Sequence, residues 1–359
     1  MRIPTYLLTA LLVAVALNGL YGQTGEPSTE RIWKDISRLP HALRDDISSA
    51  SWWTNSSEAI RLDSTVKYSN FSNARLLPLN KTVYAYPGAG KTVQSDFVNY
   101  GLWVLEKRTT ITRDPQGRIV DVLEELADMN TDAAQPSTKI TFFWHGNSAT
   151  QSDSIISSAW DEQWQQWVPA ARLYSFFNGQ NQETATETYR YEEGFQVIGI
   201  REEYEFDVHD NVSGIRQFLL KDGKWTLLGK VQSMFDEKRH EISRLEEIAV
   251  GDNRFAAVRK LSRKYDAEGQ LSVEERFKWN NSKSAWTPLK TIKAGIDNKH
   301  DTEWTIVESY TKSASVYKTK EEKIKRRKDK YLEREVNYTF QPASEKWQEV
   351  SEIRYYYKS

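Results

Sequence analysis

The 359-residue chain contains no cysteine. Disulfides, thiol catalysis and thiolate metal sites are therefore excluded, and the fold must be held by its core and hydrogen bonds alone. A charge bias is also missing, since 49 basic side chains face 50 acidic ones for a formal net charge of -1. That balance gives no bulk attraction to nucleic acid or anionic lipid. Five histidines, His41, His145, His209, His240 and His300, are scattered without metal-ligand spacing, so neither a metal nor a cofactor is expected. After the first residues no apolar run approaches the roughly 18 residues of a transmembrane helix.

What is present begins with Arg2 and an apolar run from Leu7 to Leu17, about half of a membrane span. Residues 1–22 read as a signal peptide cleaved after Gly22. The remainder is expected in the periplasm, at the outer-membrane surface or outside the cell. Residues 23–59 hold apolar side chains at mixed helical spacing, with Thr29 suited to an N-cap and Pro40 as an interruption. This predicts a small helical or irregular N-terminal arm.

From residue 60 to 359 the sequence repeats. Trp103, Trp167, Trp225, Trp286 and Trp347 follow one another at intervals of 64, 58, 61 and 61 residues. Eleven residues after the first four stand Asp114, Asn178, Asp236 and Asp297, side chains that open turns. Ten residues after the last four stand Phe177, Phe235, Ile296 and Tyr357, on the tryptophan's own face if the strand is unbroken. Threonine, valine, isoleucine and tyrosine alternate with charge throughout, as in half-buried antiparallel strands. Each unit has room for four strands. The expected fold is all-β: an extended, twisted antiparallel meander of about four 60-residue repeats starting near 103, 167, 225 and 286, with a closing strand at 347. A four-bladed propeller is the alternative.

AYPGAGKT, residues 85–92, imitates a nucleotide-binding loop. Such a loop works by opening a helix whose N-terminus faces the phosphates. Here Gly90, Lys91 and Thr92 precede VQSDFVNYGLW, which alternates like a strand, so these letters are read as a hairpin turn. Gly90 then matches Gly269 of YDAEG, a glycine supplying positive φ. The turns DPQG (114–117) and NVSG (211–214) have the same spacing.

Carboxylate doublets such as Glu124-Glu125, Glu202-Glu203, Glu246-Glu247 and Glu274-Glu275 leave a glycosidase pair open, although neighbours on a strand point to opposite faces. Among thirteen tryptophans, Trp52 and Trp53 lie off the repeat and are the candidate stacking platforms for a ligand.

The stretches KWTLLGKVQSMFDE, RKYDAEGQLSVEERFKWNNSKSAWTPLK and NYTFQPASEKWQEVSEIRYYY resemble the degenerate W and YDxxG hairpin repeats of secreted Bacteroidetes proteins of unassigned function. The resemblance implies export and a β-rich fold, and it supplies no catalytic residues. The functional expectation is a non-catalytic secreted or envelope-associated protein that binds a glycan, a peptide or an envelope partner through an aromatic-rich sheet face. The alternatives are a glycan-directed hydrolase and a structural spacer.

Overall fold

The computed structural model describes residues 61–358 apart from short internal segments at 71–75, 89, 129–132, 147–150, 193–194, 252–253, 311–315 and 326–330. The signal peptide, the N-terminal arm, His41, Trp52 and Trp53 lie outside the described residues. Every described element is a strand. In chain order they are β1 (Arg61–Asn70), β2 (Leu76–Gly88), β3 (Lys91–Asn99), β4 (Trp103–Arg113) and β5 (Ile119–Ala127). There follow β6 (Ala134–Trp144), β7 (Ser152–Asp161), β8 (Gln166–Phe177), β9 (Glu183–Glu192) and β10 (Phe195–Phe206). The second half holds β11 (Val212–Lys221), β12 (Lys224–Phe235), β13 (Glu241–Gly251), β14 (Arg254–Tyr265) and β15 (Leu271–Asn280). The last are β16 (Ala285–Asp297), β17 (Thr302–Tyr310), β18 (Val316–Lys325), β19 (Leu332–Gln341) and β20 (Lys346–Lys358).

All twenty strands belong to one antiparallel sheet in which each pairs with its chain neighbour. The sheet then closes: β1 pairs along its length with β20, from Arg61 opposite Lys358 to Ser69 opposite Ser351. This corrects the expected architecture. An extended meander leaves two strands with unpaired backbone groups, and a propeller breaks the sheet into blades; here the accumulated twist brings the ends together and no edge is left.

The five repeat tryptophans stand at the start of every fourth strand, in β4, β8, β12, β16 and β20. Three residues after each one the register slips by one residue. Glu106, Ala170, Leu228, Leu289 and Val350 have no partner on the preceding strand. Such a bulge reverses the inward and outward alternation beyond it. The even spacing from Trp167 to Phe177, Trp225 to Phe235, Trp286 to Ile296 and Trp347 to Tyr357 therefore places the members on opposite faces, not on one. Followed from pair to pair round the sheet, all five tryptophans lie on the same face. That face is called the tryptophan face below.

The wall is thin. Its most deeply buried apolar pair is Ile155 and Leu173, packed against Ile140 and Phe142 on the face opposite the tryptophans. Most other side chains are half-buried, so stability rests on backbone ladders and cross-strand pairs more than on a central core.

Candidate binding surfaces

The two rims of the barrel are built from different turns. At one rim, strands with even numbers hand over to odd ones through a repeated tight hairpin. The side-chain oxygen of Asp114 accepts the backbone N–H groups of Gln116 at 3.0 Å and Arg118 at 2.9 Å. Asn178, Asp207 and Asp236 accept in the same way from the residues two and four positions on. Each turn closes with an N–H three residues on donated to the carbonyl of the opening residue. The third residue after the opening one then takes positive φ: Gly117 (80°), Asn181 (60°), Asp210 (61°), Arg239 (68°) and Gly269 (81°). This is a type I turn followed by a left-handed residue, the common three-residue hairpin.

Asp207 and Asp266 open such turns as well, so the turn recurs at about half the tryptophan interval. The NVSG reading is corrected accordingly: the left-handed residue of that hairpin is Asp210, while Gly214 lies inside β11. Gly90, with φ of 74°, is in the left-handed region, and Lys91 opens β3, a strand and not a helix. A Cβ on Gly90 would stand 2.8 Å from the carbonyl oxygen of Arg113.

This rim is polar. His145, His240 and His300 each place Nδ1 against an aspartate, Asp153 at 2.5 Å, Asp236 at 3.1 Å and Asp297 at 2.7 Å. The Asn211 amide at Asp207 and the His300 ring at Asp297 hold those carboxyls below the usual aspartate range. Aromatic groups at the strand ends brace the rim. Tyr86, Tyr265 and Tyr357 donate their hydroxyls to the carbonyls of Leu62, Glu241 and Leu332, and the Trp144 indole N–H donates to Ile119.

The opposite rim is aromatic. Trp160 and Trp167 meet edge to face with centroids 5.1 Å apart, Trp279 and Trp286 at 5.3 Å, and Phe340 and Trp347 at 5.3 Å. Each is a directly opposed cross-strand pair on the tryptophan face, the geometry in which aromatic side chains stabilise a sheet. Trp225 faces Leu220, and Trp103 faces Asn99. The loops beyond them leave apolar side chains open to solvent: Tyr100 is 72% exposed, Leu102 79%, Trp164 66% and Phe195 75%.

Between the rims both faces carry charge. On the face opposite the tryptophans, Arg263 bridges Glu241 and Glu274, with Nε 2.7 Å from the latter. Arg276 approaches Glu274 at 2.5 Å and Arg244 approaches Glu241 at 2.8 Å. On the tryptophan face Arg201 pairs with Glu187 at 2.8 Å and with Glu203 at 3.0 Å, and Lys230 pairs with Glu247 at 3.1 Å. Members of the carboxylate doublets part to opposite faces: Glu246 lies by Arg259 while Glu247 lies by Lys230. Most serve cross-strand ion pairs, while Glu202 accepts from Tyr204 and Gln217, and Glu275 from Ser262. Glu183 is different, because burial, with Glu202 near it, pushes its carboxyl up to about 7. Among the described residues no group of His, Asp and Glu is arranged to hold a metal ion. No helix among them is long and apolar enough to cross a membrane.

No family model matches the chain, and no curated protein matches it. Among solved structures it is similar to a porin-like protein from Bacteroides uniformis at 11% identity, over 82% of this chain and 96% of that one, with a TM-score of 0.30. A second porin-like protein, from Bacteroides vulgatus, is 9% identical over 84% of this chain and 99% of that one, with a TM-score of 0.21. A DUF3836 family protein from Bacteroides vulgatus is 21% identical over 24% of this chain and 85% of that one, with a TM-score of 0.21. At scores of this size none of them bears on what this chain does, and the barrel is read from its own strand pairing.

Proposed function

We propose that the chain is an exported, non-catalytic barrel that docks end-on against the lipid interface of the cell envelope through its aromatic rim. The observation that carries this reading is the cluster of Tyr100, Leu102, Trp164 and Phe195 exposed at one rim beside the opposed tryptophan pairs, where the other rim carries histidine–aspartate pairs. Aromatic side chains with an apolar body and a polar tip favour the headgroup level of a bilayer.

The walls argue for attachment rather than insertion. A lipid-embedded barrel needs an apolar outer band about 25 Å tall. The ion pairs of Arg201 with Glu187 and of Arg259 with Glu246 lie on opposite faces, so whichever face points outward presents charge at mid-wall. The secretory leader and the resemblance to exported repeat proteins support an envelope location.

Co-sedimentation of the mature protein with phosphatidylethanolamine and phosphatidylglycerol vesicles tests the reading. The wild-type protein is expected in the vesicle pellet. The combined variant Tyr100→Ser, Leu102→Ser, Trp164→Ser, Phe195→Ser is expected in the supernatant, whereas Val208→Ser at the polar rim behaves as wild type. Wild-type protein left wholly in the supernatant would overturn it.

A further inference from the structure

On the tryptophan face, near the polar rim, a cleft of about 420 Å³ is lined by Asp297, His300, Thr302, Trp304, Ile306, Lys320 and Glu322. This volume falls within the range of small-molecule pockets. Its floor is Trp304, and the way that residue is seated sets the cleft apart. Two residues before and seven residues after each turn-opening residue of the tryptophan series, side chains face each other across the hairpin. These pairs are Thr112 with Asp121, Phe176 with Ala185, Met234 with Ser243, and Gly295 with Trp304.

Only the last pair puts an indole opposite a glycine. A Cβ at Gly295 would stand 2.6 Å from Cζ2 of Trp304, so the ring lies down on the backbone of β16 and fills the space a side chain would take. Cross-strand packing has no need of this arrangement, since at the equivalent position Ser243 suffices. A ring laid flat against the sheet keeps its other face for a ligand.

The polar groups round the ring define the class of ligand. Lys320 is closed against Glu322 at 2.5 Å, and Asp297 against His300 at 2.7 Å. Tyr338 adds its hydroxyl to Glu322 at 2.9 Å. Lys320 is thus taken up by Glu322 in place, leaving neither an unpaired lysine for an anionic ligand nor a multi-aromatic cage for a quaternary ammonium group. The carboxylates keep free lone pairs that accept from hydroxyl groups. A neutral ring with an apolar C–H face and equatorial hydroxyls satisfies both the indole and its border. We propose that this cleft is a saccharide subsite in which Trp304 stacks on one pyranose ring of a neutral oligosaccharide, with Asp297 and Glu322 accepting its hydroxyls. The site lies at the rim away from the proposed lipid contact, so the two readings stand or fall separately.

Isothermal titration and saturation-transfer NMR with cellotetraose, maltotetraose and chitotetraose test it, with tetragalacturonate and choline as charged counterparts. Saturable binding of at least one neutral tetrasaccharide is expected, with neither charged probe binding. Trp304→Ala should weaken that binding by about tenfold or more, the loss of one stacking contact, while Trp164→Ala leaves it unchanged. Lys320→Ala, at the cleft border, should weaken it to a smaller degree and tests the site even if Trp304→Ala fails to fold. Failure of every neutral tetrasaccharide to bind, tighter binding of either charged probe, or unchanged affinity in both the Trp304 and Lys320 variants would overturn the proposal.

Discussion

Lys67 in the first strand lies directly opposite Ile353 in the last, and this pairing makes a long sheet into a closed wall. The two residues are far apart in sequence, and no hairpin brings them together.

The chain's own lack of cysteine allows a clean test of closure. The double variant Lys67→Cys, Ile353→Cys introduces the only two thiols, at positions whose Cα atoms are opposed within disulfide range. Oxidation should give an intramolecular crosslink, seen as faster migration on a non-reducing gel, and raise stability by about 2–4 kcal/mol. Crosslinking that appears only between molecules would show that the sheet is open.

The hairpin carrying AYPGAGKT separates two glycines that look alike in sequence. Gly90 has positive φ and its missing Cβ would meet a backbone carbonyl, whereas Gly88 has open space around it. Gly90→Ala is expected to destabilise by about 1–2 kcal/mol or more, the cost of a left-handed non-glycine residue plus the contact. Gly88→Ala should stay within about 0.5 kcal/mol of wild type. Denaturant midpoints measure both, and equal effects would contradict the turn geometry.

Glu183 predicts a pH dependence of stability. Its carboxyl titrates near 7 in the fold against an ordinary value of 4.5, so the folded protein holds this proton more tightly than the unfolded chain. Stability from this group is therefore greatest below about 4.5, falls as the pH rises towards 7 and stays low above it. The difference is up to about 3 kcal/mol. Urea midpoints at pH 5 and pH 8 should differ in that direction, and Glu183→Gln should remove the difference by raising the midpoint at pH 8. A variant that keeps the wild-type pH dependence would assign it elsewhere. Glu241 and Glu274 work in the other direction: burial opposes their charge, but their arginine partners outweigh it and hold both carboxyls low. Their contribution is lost only in acid, as the pH falls through those depressed values.

Local features of the fold were legible because they depend on neighbours in the chain. The alternation of valine, threonine and tyrosine with charge marks strands, and Asp114, Asn178 and Asp236 mark turns through bonds to N–H groups two and four residues away, as Asp297 does through those two and three residues away. Closure was not legible, since the pairing of Lys67 with Ile353 leaves no periodic trace in either segment. Nor were the bulges: Ala170 and Leu228 are ordinary strand residues, and one unpaired residue is enough to send Phe177 and Phe235 to the face away from their tryptophans. The glycine of NVSG does not mark the turn, because an aspartate, Asp210, adopts the positive φ there. Of the candidate site, the tryptophan series was visible. The seating of Trp304 over Gly295 was not, because it depends on which residue stands across the hairpin.

Apart from the first strand meeting the last, every strand pairs with its chain neighbour. Almost all native contacts therefore form across short loops, and the sheet is able to grow hairpin by hairpin from any point with little loop-closure entropy at each step. One event stands outside this sequence, the meeting of the two ends, which must wait until the intervening strands have curled. Assembly of the wall is then a fast local process followed by a single slow seam, and until the seam forms the chain exposes two unpaired edges. The interval before closure is the stage at which this protein is most open to pairing with another copy of itself.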